Sequence, residues 1–332
     1  MRNLFFVATL LVLSVATPAQ WAGQTMYPTA SFRGLSVVDA KTIWASGSLS
    51  TVVRSLDGGV KWDTFRLAGG LDVRDIEAFD ANTAYVLAAG EGELSRIYKT
   101  TDGGKNWAEQ FHNRDPKGFY DALACWDRTN CIAVGDPVNG KFTLVETTDG
   151  ATWKAIDTSK MPAAKDGEAA FAASGTCLIT QGAKTAFLVT GGSDARVFRS
   201  MDRGHTWTVA NTDMPKGAPS KGIFSIAMLD AKNGIIVGGD YQKPLDTGPF
   251  FAMTSDGGVT WKKGTGLNYF NSAVIYVDKK TLIAVGTPGS YQSIDGGKTW
   301  KLLDSVALNA VQAKGIKAVW GFGDKGFAAH LK

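Results

Sequence analysis

The sequence predicts an all-β fold, a seven-bladed β-propeller of four-stranded antiparallel blades, and three observations carry that expectation. First, an eight-residue box recurs as SLDGGVKW at Ser55–Trp62, TTDGGKNW at Thr100–Trp107, SMDRGHTW at Ser200–Trp207, TSDGGVTW at Thr254–Trp261 and SIDGGKTW at Ser293–Trp300, with a shortened TTDGATW at Thr147–Trp153. Second, the box aspartates Asp57, Asp102, Asp149, Asp202, Asp256 and Asp295 are 45, 47, 53, 54 and 39 residues apart, about the length of one propeller blade. Third, short β-branched or aromatic runs bounded by Gly, Asp, Asn or Ser precede each box, such as KTIWASGS and STVVRS in the first unit and TAYVLAAG and SRIYKT in the second.

The chain opens MRNLFFVATLLVLSVATPAQ, with Arg2 ahead of an apolar run from Leu4 to Val15 and small residues up to Ala19. Residues 1–19 therefore read as a secretory signal peptide and 20–332 as one propeller domain with Asp-box repeats. No later segment approaches eighteen consecutive apolar residues, so the mature chain is expected to be secreted or periplasmic, monomeric and without a transmembrane segment.

Each box falls at a turn between the third and fourth strands of its unit. There the Asp and the Ser or Thr accept hydrogen bonds from turn amides, glycine takes a conformation other residues resist, and the Trp packs against a neighbour. The boxes are thus structural, and the shortened box at Asp149 is expected to make a tighter turn. Past the last box, ALNAVQAKG, IKAVWGFGDKG and FAAHLK supply three more strands, while Trp21 stands ahead of the first unit as each box Trp stands ahead of the next. A seventh blade built from three C-terminal strands and one N-terminal strand closes the ring and removes exposed edges.

Composition excludes several functions. A net charge of +4, with Lys and Arg spread along the chain, gives no footprint for nucleic acid. The three histidines, His112, His205 and His330, fit no metal spacing, and no strand–loop–helix context or cofactor motif accompanies the glycines, so neither metal nor cofactor is expected. Cys125 and Cys131 bracket the tight turn CWDRTNC and are expected to form a hairpin disulfide, whereas Cys177 reads as a small buried hydrophobe.

The repeated S/T-x-D-x-G-x-T-W boxes resemble the BNR or Asp-box superfamily. Their combination with the opening SFRGLSVVD and the segments RVFRSMDRGHTW and VGGDY looks like the photosystem II stability and assembly factor family, over essentially the whole of 21–332. The resemblance implies an exported seven-bladed propeller that binds a partner protein, a subunit of a membrane complex, during its assembly. Relatives also occur in bacteria that do no photosynthesis, so the resemblance names no partner.

In a propeller the turns opposite the boxes share one face, and function is expected there. Aligning the units puts Arg33, Arg74, Tyr120, Glu168, Phe224, Asn271 and Asn309 at the starts of the innermost strands, around the channel mouth. The turns of that face add Asp136, Arg196, Asp240 and Tyr241. Arg33, Arg74, Tyr120 and Glu168 make a polar set suited to a carboxylate or acidic peptide, with Arg196, Asp240 and Tyr241 as further partner-binding candidates; otherwise the set bonds only to itself and water. The alternative is a glycoside hydrolase or glycan-binding protein, because sialidases also carry Asp boxes with an arginine cluster and a Tyr–Glu pair. Against it, Gly34 and Leu35 stand where the Phe-Arg-Ile-Pro signature has Ile-Pro, and no arginine follows Arg203. Asp75 and Asp121 are the other carboxylates that could act as acid and base, though no spacing singles them out. The sequence therefore favours binding over catalysis, with no catalytic residue assigned.

Overall fold

The middle strands of the units are apolar on both faces. Ile43–Gly47, Ala84–Ala89 and Leu282–Gly286 are buried at every position, whereas an outer strand such as Asp63–Arg66 is largely exposed. A strand buried on both faces needs a packed layer on each side, and blades arranged radially supply it. The structure, a computed structural model, describes residues 20–26 and 29–332; the predicted signal peptide lies outside the described residues.

Seven four-stranded antiparallel sheets result, one of them extended by two short strands. Blade 1 spans 32–66, blade 2 72–112, blade 3 120–155, blade 4 178–211, blade 5 218–263 and blade 6 273–304. Blade 7 joins Ala310–Ala313, Val319–Phe322 and Phe327–Leu331 to the N-terminal Trp21–Thr25, which pairs with Phe327–Leu331 and puts Trp21 opposite Leu331. The ring thus closes as the sequence predicts. Among the described residues the only helical element is one 3₁₀ turn, Gly92–Leu94. Cys125 and Cys131 face each other across the first hairpin of blade 3 and are disulfide-bonded, while Cys177 is buried and free.

The boxes occupy the turns between third and fourth strands. In blade 1 the Ser55 hydroxyl accepts the Gly59 amide at 2.8 Å, and Asp57 accepts the Lys61 amide at 2.9 Å. The same pair of bonds recurs at Thr100 and Asp102, Ser200 and Asp202, Thr254 and Asp256, and Ser293 and Asp295. The shortened box is tighter by one residue: Thr147 accepts from Gly150, and Asp149 from Ala151 and Thr152. Five of the six boxes also bond to the turn between the first two strands of their blade, Gly58 N–H to Lys41 O and Gly257 N–H to Lys232 O for example, so these two sets of turns share one face.

The box tryptophan then clamps the preceding blade. Trp62 packs edge-on against Trp320 and Phe322 of blade 7, Trp107 against Trp44 of blade 1, Trp153 against Tyr85 of blade 2 and Trp300 against Phe251 of blade 5. The second box glycine lies under the same contact. At Gly59, with φ +84°, a Cβ would come within 2.1 Å of Trp320.

Two expectations follow for stability. Gly59→Ala should destabilise the fold by about 1 kcal/mol more than Gly296→Ala in chemical denaturation, because Gly296 has a similar φ of +78° but nothing within 4 Å of its added Cβ. Hydrogen bonds within the turn, led by the Asn106 amide at Asp102 and by the Thr299 hydroxyl at Asp295, lower both carboxyl pKa values to about 2, below their unfolded value of 3.8. Their contribution is present above the unfolded pKa and lost as pH falls through the folded one, so the melting temperature should drop between about pH 4 and about pH 2.

Candidate functional site

Opposite the boxes, the channel mouth is built from irregularities in the innermost strands. The ladders skip a residue between Phe32 and Gly34, Val73 and Asp75, Tyr120 and Ala122, and Ile223 and Ser225. The skipped residues, Arg33, Arg74, Asp121 and Phe224, are bulge positions, where a side chain is freed from the ladder and re-aimed.

A cavity of about 380 Å³ opens there, its lining including Arg33, Arg74, Phe171, Phe224, Phe270 and Tyr241. Phe171 and Phe224 stack at 3.9 Å with Phe270 edge-on at 4.9 Å from Phe224, and the exposed Tyr241 ring closes on both at 6.5 and 6.1 Å. Arg74 is paired with Asp72 at 2.7 Å. Burial, and then the Arg74 guanidinium, lower the pKa of Arg33, which marks two cations held close together. Asn309 and Asp324 complete the opposite wall, bonded to each other at 2.8 Å.

A strap crosses this mouth. The segment before blade 4 runs through the short strand Glu168–Ala169, which pairs with Gly191–Gly192 and so extends the blade 5 sheet. Its backbone is gripped on both edges. Arg74 donates to Ala172 O at 3.0 Å and Arg33 to Ala173 O at 3.5 Å, while Asp136 accepts the Ala170 amide at 2.9 Å. Asp121, its carboxyl pKa raised by burial and then by Asp136, lies buried beside the strap. A peptide backbone, acceptors toward guanidinium and donors toward carboxylate, is what the mouth already holds.

This geometry corrects part of the sequence-derived set. Arg33, Arg74 and Tyr241 come together; Tyr120, Glu168, Arg196 and Asp240 do not join them. Asp121, not Tyr120, is the blade 3 equivalent of Arg33 and Arg74; Tyr120 is buried edge-on against Phe111 at 5.1 Å, and burial raises its phenol pKa to about 12. Glu168 precedes the inner strand of blade 4, which begins at Leu178, because the unit between Asp149 and Asp202 is longer than its predecessors. Its carboxylate is buried in a two-pronged pair with Arg196 and accepts the Thr190 hydroxyl at 2.6 Å and the Lys165 amide at 2.9 Å. Asp240 is buried and accepts the Gln242 amide at 3.0 Å. Sequence reasoning did not assign Phe171 or Asp324 to the site, and left Phe224 and Asn309 as mere strand starts; the lone Phe171 in the small-residue segment AAFAAS and the bulged register carried the missing signal.

The chain shares the fold of YCF48. Over 96% of this chain and 98% of the other, it superposes on YCF48 bound to D1 peptide with a TM-score of 0.69 at 15% identity. YCF48 from Cyanidioschyzon merolae gives 0.66 at 16% identity over 94% and 98% of the two chains. The extracellular domain of BT4673 from B. thetaiotaomicron gives 0.60 at 10% identity, covering 94% of this chain and 40% of that one. No protein-family model and no curated sequence matches the chain.

The constellation of a sialidase is not assembled, since Tyr120 and Glu168 lie outside the cavity and Glu168 is neutralised by Arg196. Asp75 is no better placed: both its oxygens hold amides, of Ile76 and of Leu123, each at 2.8 Å. Below the mouth, Asp75 and Glu77 face Thr176, Thr180 and Gln312 across a channel cavity of about 170 Å³.

Burial raises the carboxyl pKa of Asp75 from 3.8 to about 7 and, with Asp75 beside it, that of Glu77 from 4.5 to about 8. Folded values above unfolded ones mean a contribution that is complete at low pH and lost as pH rises through about 7 to 8. Glu77→Gln should therefore melt a few degrees above the wild type near pH 9 and close to it near pH 5. Arg196→Ala, which strands the buried Glu168 carboxylate, should cost about 3–5 kcal/mol in chemical denaturation.

Proposed function

We propose that this chain is an exported propeller that binds an extended segment of a partner protein at the channel mouth, and that it serves assembly of a complex at a membrane. The observation that carries the reading is the pairing of Arg33 and Arg74 with the Phe171–Phe224–Phe270 wall in one open cavity. Two guanidiniums suit the carboxylate of an acidic side chain or a chain terminus, and the aromatic wall suits an apolar residue next to it. Pre-formed pockets of this kind recognise peptides with little reorganisation.

Two further features support the reading. A fold-level neighbour, YCF48, carries a bound D1 peptide, and the N-terminal apolar run predicts export to a compartment where the lumenal or periplasmic parts of membrane proteins are reached. The protein acts in this reading as a monomer, without cofactor, and as a binder; no residue of the mouth is assigned a catalytic role.

The test is crosslinking of the mature protein in its host's envelope fraction, read by mass spectrometry, beside Arg33→Ala with Arg74→Ala. A dominant protein partner is expected in the wild type and at least about tenfold less of it in the double variant, which should still unfold cooperatively as a closed propeller. A partner retained equally by the double variant would move the site elsewhere; no partner at all would remove the reading.

A further inference from the structure

The box face carries a second surface. Leu56, Val60, Met201, Val259 and Ile294 occupy the second or sixth position of their boxes, and Ile316 sits in the first turn of blade 7 on the same face. All six are between 44% and 77% exposed, so none takes part in the core. Single exposed apolar residues need no explanation, but these recur at equivalent turn tips of one face. They also fall in five consecutive blades, 4, 5, 6, 7 and 1. The boxes of blades 2 and 3 carry Thr101 and Thr148 at the second position instead.

Each of the five blades sets an exposed lysine beside its apolar tip. Lys61 follows Val60, and Lys317 follows Ile316. Lys184, Lys232 and Lys280 lie in the turns whose carbonyls accept amides from the boxes of Met201, Val259 and Ile294, at 2.8 Å in each case. Among the described residues none of these five lysines forms an ion pair. The aspartates of the same turns are occupied by local amides, Asp57, Asp202, Asp256 and Asp295 within the boxes and Asp39, Asp230 and Asp278 in the facing turns, so the lysine ammonium groups stand among them without a direct partner.

We propose that this arc of the box face docks on an anionic lipid surface, its apolar tips entering the headgroup region and its lysines meeting lipid phosphates. Apolar side chains interleaved with cations are the pattern that binds a charged interface, where the two contributions add. A flat ring of short, rigid turns suits a plane rather than a cleft. The inference does not rest on the channel-mouth reading, since the two faces are opposite ends of the same strands.

The test is co-sedimentation of the chain from Gln20 onward, which holds every strand of the closed ring and lacks the apolar run from Leu4 to Val15 that would itself enter a bilayer. With vesicles containing about 30% phosphatidylglycerol in phosphatidylcholine, binding is expected at low salt and should fall steeply as ionic strength rises. Val60→Asp with Val259→Asp and Ile294→Asp should weaken it at least about tenfold, and so should Lys232→Glu with Lys280→Glu and Lys317→Glu. Leu49→Asp with Leu94→Asp and Leu245→Asp, on the opposite face, should leave it unchanged, as should Arg33→Ala with Arg74→Ala. No sedimentation of the wild type, equal binding to pure phosphatidylcholine, or equal loss in the opposite-face variant would each overturn the proposal. So would a protein crosslinked to the box face in the absence of vesicle binding.

Discussion

Everything at the channel mouth depends on the pairing of Trp21–Thr25 with Phe327–Leu331. A propeller blade buries both faces, so an unclosed ring would leave two apolar sheet faces and an unpaired edge in water. The N-terminal strand removes that edge, and Trp21 fastens it by donating its indole N–H to Ser290 of blade 6 at 2.8 Å. Closure is also what brings Arg33 of blade 1 against Asn309 and Asp324 of blade 7, so the cavity exists only in the closed ring. The channel-mouth site and the stability of the fold therefore share one seam.

Around the rest of the ring the blades are joined by two kinds of contact. On the box side the contact is aromatic and shape-selective, with a tryptophan laid on the preceding blade and a glycine left bare beneath it. Near the channel it is polar. Ser36 accepts the Ala78 amide from blade 2, Asp75 the Leu123 amide from blade 3 and Ser225 the Val274 amide from blade 6, each at 2.8 to 3.1 Å. The Asp75 joint is the costly one, because a carboxylate in a small cavity beside Glu77 favours its neutral form. Serine does the same joining elsewhere without the charge, which leaves the channel acids as a feature in excess of what the fold requires.

The legible parts of this structure were those set by local chemistry. A box is specified by residues within one turn, so its hydrogen bonds, its place between third and fourth strands and even the contraction at Asp149 could be read from spacing. Ring closure was legible because counting strands after Asp295 left one short. The mouth was not legible in the same way, because it depends on where each inner strand skips a residue. Tyr120 and Asp121 are adjacent in sequence, but Tyr120 keeps its place in the ladder and Asp121 is the bulged residue, so one step of register decides which side chain turns toward the strap. Glu168 failed for a related reason. Extra chain after Trp153 shifted the start of blade 4 by ten residues, and the displaced segment became the strap that the arginines hold.

That strap explains how a pair of guanidiniums can sit at a channel mouth without a large penalty. Arg33 and Arg74 repel each other and are partly withdrawn from water, so their positions need acceptors within reach. The carbonyls of Ala172 and Ala173 supply two, Asp72 supplies a full charge to Arg74, and Asp324 acts on Arg33 from across the cavity. Asp72 and Asp324 balance the two charges, while the carbonyls of Ala172 and Ala173 hold the guanidiniums in place at the cavity. An incoming carboxylate finds donors already oriented by the chain's own backbone, beside an aromatic wall already stacked. The boxes are silent in this chemistry, yet they leave their second and sixth positions free of any structural duty, and those are the positions at which the opposite face acquires its apolar tips.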